Sequence, residues 1–521
     1  MSEQGPRLTR RRLLAAGAGF AGAAALGTGV RVGARDADRH NVLLIVVDSL
    51  RADHVGAYGA TAVRTPSIDA LAAGGTHFTR VNPEAMPTMP MRRTILTGRR
   101  AFPFRDWRPW SGLGRSPGWS PIMPGTPTIV DEFRDAGYYT TYVTDNPFIG
   151  FSGALRPFRA TVDTVVSVPG HVASARATPT GSDRDARRVL PAHMLEWDHE
   201  IAGMHGFLEQ NGGADGLDIR ESETGAARVF DAAITALRNV NPRRRLGVGR
   251  KPFMMVVDGF DPHEPWAIPR RYWELYGDPD ETFIGDIAYG PADRLTETEL
   301  ERLAATYKAS VTLVDAQVGR LLTELDDLGL ADSTTVALVS DHGIYLGERD
   351  WIGKSAWLLN PELIHVPLIV RTPGGEAGQA SDWLAQTQDL PPTLMSLAGL
   401  VPPDRFEGVD LAPAILGGGP LPPRDFVYGG YANDFFVRDD RWKIVSDNRM
   451  RGRQLYDLHA DPGERRDLSR ERPEIVAALR ERMLAQLDAP PPFYREPRFE
   501  LEPLRMGDVL ERRAARAGQG G

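Results

Sequence analysis

Several short stretches of the chain carry residue types that could do chemistry together. Asp48-Ser49 ends one apolar run, Asp261-Pro262-His263 follows another, and Ser340-Asp341-His342-Gly343 ends a third, with Lys354 shortly after. Carboxylates and imidazoles of this kind suit a hard metal ion, and a lysine beside them faces an anion. The string "MPTMPMRRTILTGR", residues 86–99, adds a hydroxyl: Thr88 stands between Pro87 and Pro90, four residues before Arg92. Pro87 and Gly98 bound a short helix with Thr88 near its N-cap, where unpaired N–H groups and the dipole favour negative charge. Taken alone, that position suits a plain cap best, and it also suits a hydroxyl that becomes an anion and attacks, with Arg92 in support. Each residue has a plain alternative. A strand-terminal Asp is often a turn former, Asp341-His342-Gly343 reads as a tight turn, and His263 as a satisfied loop histidine. Their joint placement at strand ends, with a hydroxyl at a helix start, is what points to a site.

The elements that must position them are legible in the same pass. "NVLLIVV" (41–47) is a continuous β-branched run, the mark of a strand buried in a parallel sheet. Further strands are predicted over 138–144, 252–258, 334–340 and 365–370. Helical patterns alternate with them: "TPSIDALAAGG" with Thr65 as cap and Pro66 at N1, "TPTIVDEFRDAGY" with the same grammar, and the long run ending "LLTELDDLG", about nine turns. Strands alternating with helices imply an α/β fold with a mostly parallel sheet covered on both faces, whose sites lie beyond the carboxyl ends of the strands. The chain divides into residues 39–400 as a catalytic α/β unit, 401–490 as a smaller α+β unit with a short antiparallel sheet, and a tail over 491–521 expected to be disordered. Residues 150–250, rich in Arg, Asp, Gly and Pro, read as excursion loops from the core.

A chain of 521 residues can bury a large core. Its formal net charge of −8 argues against nucleic acid as a partner. The absence of cysteine excludes disulfides, thiolate metal sites and cysteine nucleophiles. Near the start, "TRRRLLAAGAGFAGAAALGTGV" resembles a twin-arginine export signal, with Arg10 and Arg11 as the pair and Val32-Gly33-Ala34 as a cleavage site. Residues 1–38 are therefore expected to be signal and linker, and the protein to be extracellular, periplasmic or in the cell envelope, with no membrane span apart from the signal.

Taken in order, "NVLLIVVDSLRADHVGAYG", "TPSIDALAAGGTHFTRV", "PTMPMRRTILTGR", "DPHEPW", "VSDHGIYLGERDWIGKS" and "QLYDLHADPGERRDL" resemble the landmarks of the sulfatases, a branch of the alkaline phosphatase superfamily. The resemblance covers residues 40–470 and implies an alkaline-phosphatase-like core with a small C-terminal unit. It implies that Asp48, Asp341 and His342 hold one divalent cation with Thr88 in the nucleophile position, and that Arg92 supports that nucleophile. It also implies that His263 and Lys354 bind the transferred group or protonate the leaving oxygen. Asn146 joins Lys354 and His263 as a candidate for holding the equatorial oxygens. Calcium is the family's metal; zinc or manganese would suit the same donors. A second metal would need Asp261, His263 and His365 to converge.

The departures carry as much information. The sulfatase pattern places Cys or Ser where this chain has Thr88, for oxidation to a formylglycine aldehyde. Threonine cannot give that aldehyde, because its β-carbon bears a methyl group. The pattern's second carboxylate after Asp48 is Ser49 here, and "VTDNPF" stands in place of its Lys-x-His element. The expectation is a metal-dependent hydrolase of sulfate- or phosphate-type esters acting on a small anionic substrate. Thr88 would be the direct nucleophile, with phosphate mono- or diesters favoured over sulfate esters. Two alternatives stay open: a transferase passing a phosphoryl-type group to an acceptor alcohol, and a lapsed enzyme that binds anionic glycans or lipid head groups.

Overall fold

The computed structural model describes residues 39–110, 116–150, 160–169, 184–212, 217–240 and 251–495. The expected export signal and nearly all of the expected tail lie outside the described residues. An eight-stranded sheet forms the centre. Its strands are β1 (Asn41–Val47), β2 (Thr76–Phe78), β3 (Tyr139–Thr144), β4 (Thr164–Ser167), β5 (Phe253–Gly259), β6 (Thr334–Ser340), β7 (Leu368–Arg371) and β8 (Gln379–Ser381), in the spatial order β8-β2-β7-β6-β1-β5-β3-β4. The five strands from β6 to β4 run parallel, while β7 is antiparallel to β6. The fifth predicted strand starts three residues late, because Pro361–Ile364 forms a helical turn and Pro367 has no N–H to give to a ladder.

Every residue of β1 is buried, and successive side chains point to opposite faces. Leu43, Ile45 and Val47 pack with Met255, Val257 and Leu338 in one core. Val42, Leu44 and Val46 pack with Met254, Val256 and Val339 in the other. Burial of each such side chain contributes about 1.5–3 kcal/mol. That explains why the run has no polar face. On the first face lies α4 (Glu297–Asp327), opened by a reciprocal capping box between Thr296 and Glu299. Its buried Asp315 accepts hydrogen bonds from the N–H groups of Ser67 (3.2 Å) and Ile68 (2.8 Å), satisfying the start of α1 (Pro66–Ala73). Thr65 is the N-cap residue there, as expected, but its side chain makes no capping bond.

Residues 150–250 differ from the expectation of excursion loops. Where described, they add β4 to the edge of the main sheet, helices over Arg184–Val189 and Asp198–Gln210, and α3 (Gly225–Val240). Ala226, Val229, Phe230, Ala233 and Leu237 of α3 enter the first core. Their spacing is helical, but five alanines and flanking Arg and Asp residues dilute the apolar signal.

A second, five-stranded sheet joins Val427–Tyr431, Asp434–Arg438, Trp442–Asp447 and Gln454–Asp457 as an antiparallel meander, with α5 (Pro473–Leu484) packed against it. Its fifth strand is Ala85–Met86, paired in parallel with Gly430 and Tyr431. The segment leading into Thr88 is therefore clamped from the C-terminal side of the chain.

Candidate active site

Register carries the strand-end residues to one edge of the sheet. Val47 lies opposite both Gly259 and Ser340, and Thr144 lies opposite Asp258. So Asp48, Asp341, Asp258 and Asn146 all emerge at the carboxyl ends of adjacent parallel strands. Between them stands α2 (Thr88–Thr97), whose Arg92 is 1 % exposed and meets three carboxylates. Its Nη1 is 3.1 Å from Asp48 Oδ2 and contacts Asp341 Oδ2, and its Nη2 donates to Asp258 Oδ1 at 2.7 Å. Tyr142 donates to the other Asp258 oxygen at 2.7 Å. Asp258 was not singled out from the sequence, yet it ends "PFMMVVD" just as Asp48 ends "NVLLIVVD".

Thr88 is buried at the head of α2. The N-cap residue is Pro87, so Thr88 is the first helical residue and its hydroxyl does not serve as the cap, contrary to the cap alternative. One turn on, Arg92 reaches back to the Thr88 carbonyl at 3.5 Å. Arg92 thus ties the first turn of α2 to the three carboxylates.

Asp48, Asp341 and His342 offer ligand atoms that lie within 4.8 Å of one another. Among the described residues this is the group of three or more His, Cys, Asp and Glu side chains close enough to hold a metal ion. Its chemistry fits a cation. His342 Nδ1 is 2.9 Å from the Gly343 carbonyl, which can only accept, so Nδ1 carries the hydrogen. The buried Nε2 is left without a hydrogen-bond partner, 3.4 Å from Asp341 Oδ2 and 3.8 Å from Asp48 Oδ1. Burial pushes His342 down to about 4, against the pull of Asp341, so that lone pair is bare at neutral pH. Burial and neighbouring Asp341 push Asp48 well above the ordinary carboxylate range, against Arg92 and Lys354. A lone pair facing two carboxylates is a poor arrangement by itself and a good one around a divalent ion. Ser49, in the left-handed region at φ 61°, aims its N–H at Asp341 Oδ1 (2.9 Å) and its hydroxyl at Asp48 Oδ1 (2.9 Å).

His263 and Lys354 come together, with Lys354 Nζ 2.9 Å from His263 Nε2. The lysine's charge reaches Asp48 and His342. Asn146 is fully buried; its Oδ1 accepts from the Phe148 N–H at 3.0 Å and its Nδ2 has no partner. The second set does not converge. His365 Nε2 lies 2.9 Å from the Thr79 carbonyl, and its ring packs on Tyr58.

The family model described as Sulfatase matches residues 40–400, and that described as N-sulphoglucosamine sulphohydrolase, C-terminal, matches residues 347–489. The chain belongs to the sulfatase family. An arylsulfatase of Clostridium perfringens is 25% identical over 488 residues, 86% of this chain and 94% of the relative. Two solved structures share the fold. A phosphonate monoester hydrolase of Agrobacterium radiobacter has TM-score 0.62 at 24% identity, and one from Silicibacter pomeroyi has TM-score 0.65 at 22% identity. Each match covers 86% of this chain and 95% of the other. As a sulfatase-family member, the protein is a hydrolase, with an alkaline-phosphatase-like fold. No helix among the described residues is long and apolar enough to cross a membrane.

Proposed function

We propose that this sulfatase-family hydrolase acts without formylglycine, using Thr88 as a direct nucleophile, and that it prefers phosphate mono- or diesters to sulfate esters. The observation that carries the reading is a buried threonine heading α2, one turn before Arg92, in a chain with no cysteine. Asp48, Asp341 and His342 would hold one divalent cation, calcium by family resemblance. Bound there, such an ion lowers the pKa of a coordinated hydroxyl and neutralises charge on the transferred group. Arg92 balances the carboxylates and favours an anion at Thr88. Thr88 Oγ1 bonds to phosphorus as the bond to the leaving oxygen breaks, and the His263–Lys354 pair protonates that oxygen. Water then attacks phosphorus as the bond from phosphorus to Thr88 Oγ1 breaks, and a proton from that water restores the threonine hydroxyl.

The sulfur chemistry is harder for this residue. A hydrated aldehyde has a second hydroxyl that expels sulfate, whereas a threonine ester must be cleared by attack of water on the ester centre, a route that suits phosphorus. The likeness to two solved phosphonate monoester hydrolases supports the same preference. The test is turnover of 4-nitrophenyl phosphate, bis(4-nitrophenyl) phosphate and 4-nitrophenyl sulfate by wild type, Thr88→Ala and Thr88→Ser. Thr88→Ala should lose about 10³-fold or more, and Thr88→Ser should retain phosphoester activity. Wild type that hydrolyses the sulfate fastest, or Thr88→Ala that keeps turnover, overturns the proposal. We also propose that residues 1–38 direct export by the twin-arginine route, on the strength of Arg10 and Arg11 before an apolar Gly/Ala run.

A further inference from the structure

Lys354 and His263 belong to a closed ring of hydrogen bonds that begins and ends on one residue. His263 Nδ1 lies 2.5 Å from the backbone carbonyl of Glu264. A carbonyl only accepts, so Nδ1 carries a hydrogen. On the other side of the imidazole, Nε2 is 2.9 Å from Lys354 Nζ. Lys354 Nζ is 2.5 Å from the Tyr289 hydroxyl and 3.5 Å from Glu264 Oε1. Tyr289 in turn donates to Glu264 Oε1, which closes the ring. With Nδ1 already protonated, the contact between Nε2 and Nζ requires one donor and one acceptor. The two nitrogens therefore share a single proton across that contact.

Two features of the chain hold the ring in place. Gly290–Pro291 and Trp351–Gly353 are adjacent antiparallel strands, with Ile352 opposite Gly290. Tyr289 and Lys354 flank that pairing and are brought side by side by it. Gly353 sits at φ 84°, and a Cβ there would run into the Tyr289 ring, so the close approach depends on glycine. Glu264 is 6 % exposed, and the ring lies in a region with little water to compete. Burial, followed by Glu264, pushes the Tyr289 phenol well above its ordinary range, so it remains a donor to the carboxylate while accepting from lysine.

We infer that Tyr289 and Glu264 are positioning residues that hold Lys354 and His263 as one proton-donating unit for the leaving oxygen. This rests on the proposed reading of the site, in which that pair supplies the leaving-group proton. In that reading Tyr289 and Glu264 act on Lys354, which both contact, rather than on the transferred group. They act by fixing the lysine, and through it the orientation of the imidazole. Their contribution is therefore largest where the leaving oxygen is poor and needs a proton, and small where it departs as a stable anion.

The test compares phenyl and 4-nitrophenyl esters of whichever acid, phosphoric or sulfuric, the full-length protein turns over. Tyr289→Phe keeps the ring against Gly353 and removes one oxygen; Glu264→Gln keeps the shape and removes the charge. Both should lower kcat on the phenyl ester by about 10-fold, while kcat on the 4-nitrophenyl ester and KM on both stay within about 2-fold. A merely structural role would lower both esters alike or raise KM. Equal losses on the two esters, a KM effect alone, or no effect would overturn the inference. Thr88→Ala, assayed alongside, separates the two levels. If it is inactive while Tyr289→Phe behaves as wild type, only the positioning role falls. If it is active, the reading of the site falls.

Discussion

Replacing Arg92 by methionine tests the charge balance on which the site stands. Three carboxylates, Asp48, Asp258 and Asp341, are 0 % exposed and crowd one guanidinium that is 1 % exposed. Asp258 retains Tyr142 as a donor if the arginine is lost, and Ser49 still donates to Asp48 and Asp341. None of those partners carries charge. Breaking one buried ion pair by removing a partner costs about 3–5 kcal/mol, and here one guanidinium contacts three carboxylates. A loss of that size is a large share of the roughly 5–15 kcal/mol that holds a domain together. Methionine fills much of the space left by the arginine stem, so the loss is mainly electrostatic.

A divalent cation at Asp48, Asp341 and His342 would neutralise two of the three carboxylates. The Arg92→Met variant should therefore gain more stability from added calcium than wild type does, because a more negative site binds the ion more tightly and binding adds to stability. The assay is urea unfolding followed by tryptophan fluorescence, run in chelator and in calcium. In chelator the variant should be less stable by about 3–5 kcal/mol, and calcium should close part of that gap. Asp258→Asn in the same chain should recover a further part, since it removes the anion the metal does not reach. Arg92→Met as stable as wild type in chelator, or an equal calcium effect in both proteins, would refute the reasoning.

Other outcomes follow from the same contacts. Burial raises Asp315 to about 6, against the backbone N–H groups of Ile68 and Ser67 that it accepts. Between its unfolded value and about 6 the native state holds the proton more tightly, so the contribution of this group to stability is greatest at low pH and is lost as pH rises through 6. Asp315→Asn removes that dependence, so its stability relative to wild type should improve by about 1 kcal/mol from pH 5 to pH 7; a difference independent of pH would contradict the assignment. Arg10→Lys with Arg11→Lys should leave precursor in the cytoplasm, as judged by fractionation, and unchanged export of the double variant would remove the signal reading.

The sheet was legible because its central strands have no polar face. A run such as 41–47, buried on both sides, can hardly be read otherwise, and the predicted 334–340 strand agrees with β6 residue for residue. Strand-terminal Asp48 and Asp341 could be found for the same reason, since the edge of a parallel sheet follows from its strands. Asp258 carried the same signal, overshadowed by the more conspicuous Asp-Pro-His three residues on. Tyr289 carried none: "AYGP" is an ordinary turn string, and its role depends on a pairing between segments sixty residues apart. The helix α3 was missed because alanine marks a buried face only weakly, so its core positions fade into an Arg- and Asp-rich surround. The Thr88 cap reading failed on a detail of local geometry, since Pro87 takes the cap and moves the threonine one residue into the helix.

Threonine at position 88 and serine at position 49 make sense together. An alkyl hydroxyl gives up its proton less readily than a hydrated aldehyde does, so the proposed threonine nucleophile would ask more of a cation held beside it. Where the sulfatase pattern has a second carboxylate, Ser49 offers a neutral hydroxyl, and that hydroxyl is turned toward Asp48 Oδ1. With Ser49 in that place, the residues that would hold the cation carry one negative charge fewer, so a cation bound there would favour ionisation of a nearby hydroxyl more strongly. Ser49→Asp tests this directly. Aspartate tolerates the left-handed backbone better than most residues, so the φ of 61° is no obstacle to folding. The variant should bind calcium more tightly by titration and yet turn over phosphate esters more slowly, with kcat down by about 10-fold at neutral pH. Tighter binding with a faster kcat would show that the missing carboxylate is a defect of this site, and that threonine is activated by something other than the charge it faces.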